Sequence, residues 1–354
     1  MNRVVAIAAA CLMFAAWCQP ALSQVSKLRV GYCARTLSGA VSPFAIATKM
    51  GWFKDDGIEV SVVPMAGSSD CMKAIATREI PFALVAVEAH GAAILQGVKG
   101  RTFYTAYQTN IYGLAVPADS AIKQVSDLRG KTIGVISMGG GVLFAKGVIA
   151  AAGMDPEQDV RFVVAGEAAQ TAVLVRAKQV DALSQFDTQY ALIENAGVKL
   201  RLLETKETDR FPGNGFLALE ETLKTHRAEA VALARGYAKG TIFAINNPEA
   251  AVRILYEIFP QVRPTGKDEA TAVRDDTRVL QARIPHWRPE QAAVRRWGES
   301  SEANYSAYLD FLLKWGVLST KVNVQDVITN ELIGEINRFD ADGIAAGAKA
   351  FTYH

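Results

Sequence analysis

The sequence predicts an α/β protein of two doubly wound lobes, and three observations predict it. Short β-branched runs alternate with helical stretches along the first half of the chain, the same rhythm restarts in the next hundred residues, and the chain beyond Thr225 reads as helical throughout. The 354 residues suit two such lobes, because each would hold roughly 100–200 residues and bury its own core.

The elements follow in order. Residues 1–23 have the form of a secretory leader: Arg3 supplies the positive start, Val4 to Ala16 the apolar stretch, and Ala21-Leu22-Ser23 a small-x-small cleavage site. The apolar run stops at Gln19-Pro20, short of the ~20 residues a membrane-spanning helix needs. Cys18 as a lipid-modified residue is opposed by the bulky Trp17 directly before it. Leu28 to Cys33 is then a strand, Pro43 to Phe53 a helix, Ile58 to Val63 a strand, Ser69 to Arg78 a helix, Phe82 to Val87 a strand and Ala89 to Val98 a helix. After a bridge from Thr102 to Val116, strands at Thr132–Ile136, Val160–Val164 and Ala182–Gln185 alternate with helices at Gly141–Ala152, Glu167–Lys178 and Asp187–Asn195.

From Thr225 a helix runs to Asn246, with Val231, Ala234, Ala238, Ile242 and Ile245 on one face. Asn247-Pro248 ends it and caps the next, and Trp287 to Val317 and Asn323 to Phe339 supply the last helices. Having no strand partners of their own, they are expected on the first lobe. The expected domains are residues 26–117 plus 214–354 for lobe 1 and 118–213 for lobe 2. Crossings near 117–125 and 204–216 would form a two-strand hinge about a cleft.

Charge excludes one class of partner. With 38 basic and 36 acidic side chains, and Arg3 leaving with the leader, nothing favours nucleic acid or an acidic membrane surface. The mature chain keeps only Cys33 and Cys71, and in an oxidising compartment such a pair invites either a disulfide or two buried thiols.

Several motifs carry a resemblance. They are Leu28-Arg29-Val30-Gly31-Tyr32, then Pro43-Phe44-Ala45-Ile46-Ala47 leading to Lys49-Met50-Gly51-Trp52-Phe53, then Ser126-Asp127-Leu128-Arg129-Gly130-Lys131-Thr132-Ile133-Gly134 and Val180-Asp181-Ala182. Tyr308-Leu309-Asp310-Phe311-Leu312 before Trp315-Gly316-Val317-Leu318 closes the series. In this order they resemble the nitrate/sulfonate/taurine group of periplasmic substrate-binding proteins of ABC transporters, which includes binders of thiamin-precursor pyrimidines. The resemblance implies a type II periplasmic-binding fold, a small-molecule ligand, a permease partner in the inner membrane, a periplasmic monomer and no cofactor. The chain departs from the group at Glu79-Ile80-Pro81-Phe82, where a Gly-x-x-Asp turn is usual, and at Phe186-Asp187, where a Trp often follows the strand.

In open α/β sheets ligands bind beyond the carboxyl ends of the strands. The candidates are therefore Arg35, Thr36 and Ser38 after the first strand, and Gly67, Ser68 and Ser69 opening the helix after the second. Glu88 follows the third, and Ser137, Gly139, Gly140 and Gly141 open a helix of the other lobe. Tyr107, Phe186, Asp187 and Asn214 complete the set, with Tyr190 a further aromatic. Small-residue helix starts with free N–H groups attract anions, and Arg35 could pair with one bidentately, which favours a carboxylate or sulfonate. Glu88 and Asp187 instead ask for a donor, so a zwitterion or a heterocycle with ring N–H groups also fits.

Enzyme chemistry has little support. Ser137 lacks the preceding glycine of a nucleophile elbow, and His90, His226, His286 and His354 show no metal-ligand spacing. No nucleotide-binding glycine loop follows a strand. A lyase-like enzyme using Asp187 or Glu88 as a base is the competing expectation, since fold alone does not exclude one.

Overall fold

A computed structural model describes residues 25–353. The leader expected at 1–23 lies outside them. Among the described residues ten strands form two five-stranded sheets. They are β1 (Ser26–Tyr32), β2 (Ile58–Pro64), β3 (Phe82–Ala86), β4 (Gly100–Thr105), β5 (Tyr112–Pro117), β6 (Lys131–Val135), β7 (Val160–Val164), β8 (Ala182–Phe186), β9 (Leu200–Leu202) and β10 (Asn214–Leu219). The first sheet runs in the order β2-β1-β3-β10-β4 and the second in the order β7-β6-β8-β5-β9.

In each sheet the three leading strands are parallel and the fourth is antiparallel to its neighbours. Parallel strands must be covered on both faces, and β3 accordingly is buried at all five positions. The antiparallel strands are exchanged along the chain: β5 joins the second sheet before its parallel strands are made, and β10 returns to the first. The crossings therefore lie at 106–111 and 203–213. The first falls upstream of the expected 117–125, because the bridge read at Thr102–Val116 holds β5 and most of β4.

Aromatic packing marks the first core. Phe44 and Tyr237 stand edge to face with ring centroids 5.0 Å apart, and Phe216 meets Tyr237 at the same separation. Leu114, Ile133, Val135 and Phe144 are fully buried in the second. The helices Arg227–Asn246 and Pro248–Ile258 pack on the first lobe through Ser42–Lys49. Asn247 caps the second of them, its side chain accepting from the Ala250 N–H.

The final third differs from the continuous helices expected. Glu269–Trp287 is helical, Arg288-Pro289 ends it because Pro restricts the residue before it, a single 3-10 turn follows at Pro289–Ala292, and α-helix resumes at Glu302–Lys314. Residues 323–339 hold only the short turns Val324–Val327 and Ile333–Ile336, and a last helix spans Ala341–Ala350. Glu269–Trp287 also lies against Asp187–Asn195 of the second lobe, and Glu302–Lys314 against Gly140–Ala151, so both link the lobes.

Candidate ligand-binding cleft

The carboxyl ends of the parallel strands of both sheets face one seam. From the first lobe come Cys33, after β1, and Gly67-Ser68, which open the helix Ser68–Ala76. From the second come Ser137, Gly140 and Gly141 at the start of Gly140–Ala151, with Ser184, Gln185 and Phe186 at the end of β8. These residues enclose a void of about 30 Å³, and a second of about 20 Å³ is lined by Tyr32, Tyr107, Tyr112, Phe186, Asn214 and Arg283. Each holds one or two waters at most, so admitting an organic molecule requires the lobes to part.

The approach is close enough to exclude side chains. A Cβ at Gly67, whose φ is +96°, would stand 2.7 Å from Ser137 Oγ, and one at Gly140 would stand 2.8 Å from Glu88 Oε1. Hydrogen bonds also join the lobes. The backbone N–H groups of Arg35 and Thr36 donate to the Glu167 carboxylate at 3.0 and 2.7 Å, and Asn195 Nδ2 donates to the Asp275 carbonyl at 3.0 Å. Arg283 Nε donates to Asp187 Oδ2 at 2.7 Å, and the Arg283 NH2 group donates to Oδ1. The guanidinium carbon lies 4.0 Å from the centre of the Tyr107 ring.

Three buried oxygens at or beside the seam have no hydrogen-bond partner: Glu88 Oε1, Gln185 Oε1 and Asn214 Oδ1. Asn214 Nδ2 is used by the Leu84 carbonyl at 2.9 Å, and Gln185 Nε2 by Thr171 Oγ1 at 3.2 Å, which leaves both amide oxygens free. Glu88 Oε2 accepts from the Tyr308 hydroxyl at 3.1 Å. Burial raises the Glu88 carboxyl to about 7, opposed only in part by its own backbone N–H and Tyr308.

The sequence candidates divide. Gly67, Ser68, Ser137, Gly140, Gly141, Phe186, Tyr107 and Asn214 line the voids, and Glu88 abuts Gly140. Ser69 is exposed and faces the buried Gly139 across the seam, and neither lines a void. Asp187 is taken up by Arg283. The Arg35 side chain is exposed, and only the backbone at 35 and 36 meets the other lobe. Ser38 caps the short turn Gly39–Val41 and lines neither void. Tyr190 is internal to the second lobe, its hydroxyl donating to the Gly113 carbonyl at 2.7 Å and accepting from the Gln185 N–H at 2.7 Å.

Tyr32, Tyr112, Gln185 and Arg283 were not foreseen. Gln185 and Tyr112 sit at strand ends, a position that flags them. Arg283 carries no such signal. Cys33 and Cys71 are disulfide-bonded, with Cα atoms 5.9 Å apart, and His90 is buried, its ring pushed down to about 3 by desolvation. Among the described residues no group of three His, Cys, Asp or Glu side chains could hold a metal ion, and no helix is long and apolar enough to cross a membrane.

The family model described as NMT1/THI5 like matches residues 39–251, more than half of the chain. The chain belongs to the NMT1/THI5-like family. The riboflavin-binding protein RibY of Chloroflexus aurantiacus is 26% identical over 319 residues, covering 89% of this chain and 87% of RibY. The alkanesulfonate-binding protein SsuA from Xanthomonas axonopodis pv. citri, solved bound to MOPS, superposes with a TM-score of 0.64 at 18% identity over 86% of this chain and 99% of SsuA. The periplasmic nitrate-binding protein NrtA from Synechocystis PCC 6803 gives 0.65 at 16% identity over 91% of each chain. The bilobal periplasmic-binding fold is thus shared with SsuA and NrtA.

Proposed function

We propose that the protein is an exported receptor whose two lobes close on a small, flat heterocycle bearing N–H or O–H donors, and that the closed form docks on an ABC permease in the inner membrane. The observation that carries the ligand class is the pair of unpartnered amide acceptors, Gln185 Oε1 and Asn214 Oδ1, with the free Glu88 Oε1, an acceptor when ionised and a donor when protonated, gathered at or beside a seam walled by Tyr107, Tyr112 and Phe186. Buried acceptors without partners cost about 1–3 kcal/mol each, which a ligand donor recovers. Aromatic walls suit a planar ring.

An acidic solute has weaker support. The helix starts at Ser68 and Gly140 favour an anion, yet Arg283 is the one arginine among the fully buried side chains described and Asp187 already fills it. RibY, named a riboflavin-binding protein, points toward a heterocycle. Of the lyase-like alternative's two bases, Asp187 is held by Arg283 on both oxygens, and the cysteine at the seam offers no thiolate because it is held in a disulfide. Lobes divided at the two crossings, residues 26–105 with 214–353 and residues 112–202, in place of the division at 117 and 118 expected from the sequence, belong to the same proposal, as do a leader ending near Ser23 and a monomeric mature form.

Thermal-shift and calorimetric titrations with riboflavin, lumichrome, uracil and a hydroxymethylpyrimidine, set against taurine, methanesulfonate and nitrate, test it. A heterocycle at 100 times its dissociation constant adds about 2.7 kcal/mol to stability. Response to the sulfonates alone would reject the heterocycle, and turnover of a bound compound would reject the receptor.

A further inference from the structure

The ion pair between Asp187 and Arg283 does more than join the lobes. Arg283 is 1% exposed and Asp187 9%, and both carboxylate oxygens are engaged by the guanidinium fork. Arg283 stands near the end of Glu269–Trp287, borders the smaller void with Tyr32 and Asn214, and rests on the Tyr107 ring. Asp187 opens the helix after β8, where the Thr188 N–H also donates to its Oδ1 at 2.7 Å and His286 Nε2 lies 3.8 Å from Oδ2. A planar guanidinium with two parallel donors is the arrangement that recognises a carboxylate, sulfonate or phosphate bidentately. Here that place is filled by the protein itself.

We propose that Asp187 is a built-in anion, occupying the bidentate site that Arg283 would otherwise offer and so setting the receptor against acidic solutes. An incoming carboxylate or sulfonate must displace Asp187, leaving one buried anion unpaired beside another. A neutral ligand disturbs nothing at this position. The proposal rests on the reading of the seam as the ligand site, and it names the residue that selects by charge there.

The consequence is specific to loss of the carboxylate. In the mature chain carrying Asp187→Ala, Arg283 keeps its charge and its seat on Tyr107 but faces a carboxylate-sized gap, which a small free anion can fill. Thermal unfolding in acetate or methanesulfonate is compared with unfolding in chloride at equal ionic strength. The expected result is a saturable rise of several degrees for Asp187→Ala in either oxyanion, none for the wild type, and none for Asp187→Ala/Arg283→Met. No rise in the single variant, or an equal rise in the double variant, overturns the proposal. If Asp187→Ala folds poorly, refolding is run in both salts: folded protein in the oxyanion alone supports the built-in anion, and failure in both overturns it. Titration of the wild type with riboflavin and the pyrimidines keeps the two readings apart. An oxyanion response without heterocycle binding preserves the role of Asp187 and removes the heterocycle, whereas the reverse outcome removes only Asp187.

Discussion

Glu88 and Gly140 share one space from opposite lobes, with Glu88 Oε1 only 2.8 Å from where a side chain at Gly140 would begin. The contact exists only when the lobes are together, so a methyl group there opposes closure without touching either core. Gly140→Ala should leave the melting temperature of the open protein within a few degrees. It should weaken ligand binding about tenfold or more, since overpacking costs typically 1–3 kcal/mol. Calorimetric titration of both proteins checks this, and equal affinities would show that the lobes do not close this tightly.

Glu88 should make stability fall as pH rises. Its carboxyl is raised from 4.5 to about 7 by burial, so the folded closed state holds a proton that the unfolded chain has already released. The associated stability is complete below pH 4.5 and is lost as pH climbs through 7, on the order of 3 kcal/mol in all. Glu88→Gln removes the titration while keeping the shape. Its melting temperature should match the wild type near pH 4.5 and exceed it above pH 7. Parallel pH profiles for the two proteins would contradict this assignment.

The bridge between Cys33 and Cys71 closes a loop across 38 positions beside the seam. On the chain-entropy estimate its removal in Cys33→Ser/Cys71→Ser costs about 3–4 kcal/mol, read as a lower denaturant midpoint. Neither thiol should be alkylated before reduction, and an unchanged midpoint would show that the bridge contributes nothing.

Phe186 lines both voids and is only half-buried, packed at the margin of the first core. Phe186→Ala should therefore weaken a heterocycle by roughly 1–3 kcal/mol, the range for base stacking on an aromatic ring, while secondary structure by circular dichroism stays unchanged. Asn214→Leu should likewise lower affinity for a ligand that donates to Oδ1, with little effect on one that lacks the donor.

The two lobes repeat one plan, and that plan was legible. β3 and β8 begin at Phe82 and Ala182, and the helices after them at Val87 and Asp187, so the β-branched runs and helix starts announce the same unit twice. The antiparallel strands were harder to read. Gly100–Thr105, Tyr112–Pro117 and Asn214–Leu219 are buried on both faces and lack alternation, and their partners are reached only by the crossings. The strand-end rule points to Gly67, Ser68, Ser137, Gly140 and Gly141, and these lie along the seam. Arg283 escaped it, because one arginine in a long amphipathic helix reads as a solvated side chain until Asp187, 96 positions away, folds onto it.

Closure on a ligand is the central claim, and a distance across the seam tests it most directly. Lys73 on the helix Ser68–Ala76 and Met138 beside Ser137 are exposed on opposite lobes, and cysteines placed there can carry spin labels while Cys33 and Cys71 remain bridged. With riboflavin or the pyrimidine that raises the melting temperature, pulsed dipolar spectroscopy should show a broad or long distance distribution collapse to a single short one. The same distribution with and without saturating ligand would contradict the account.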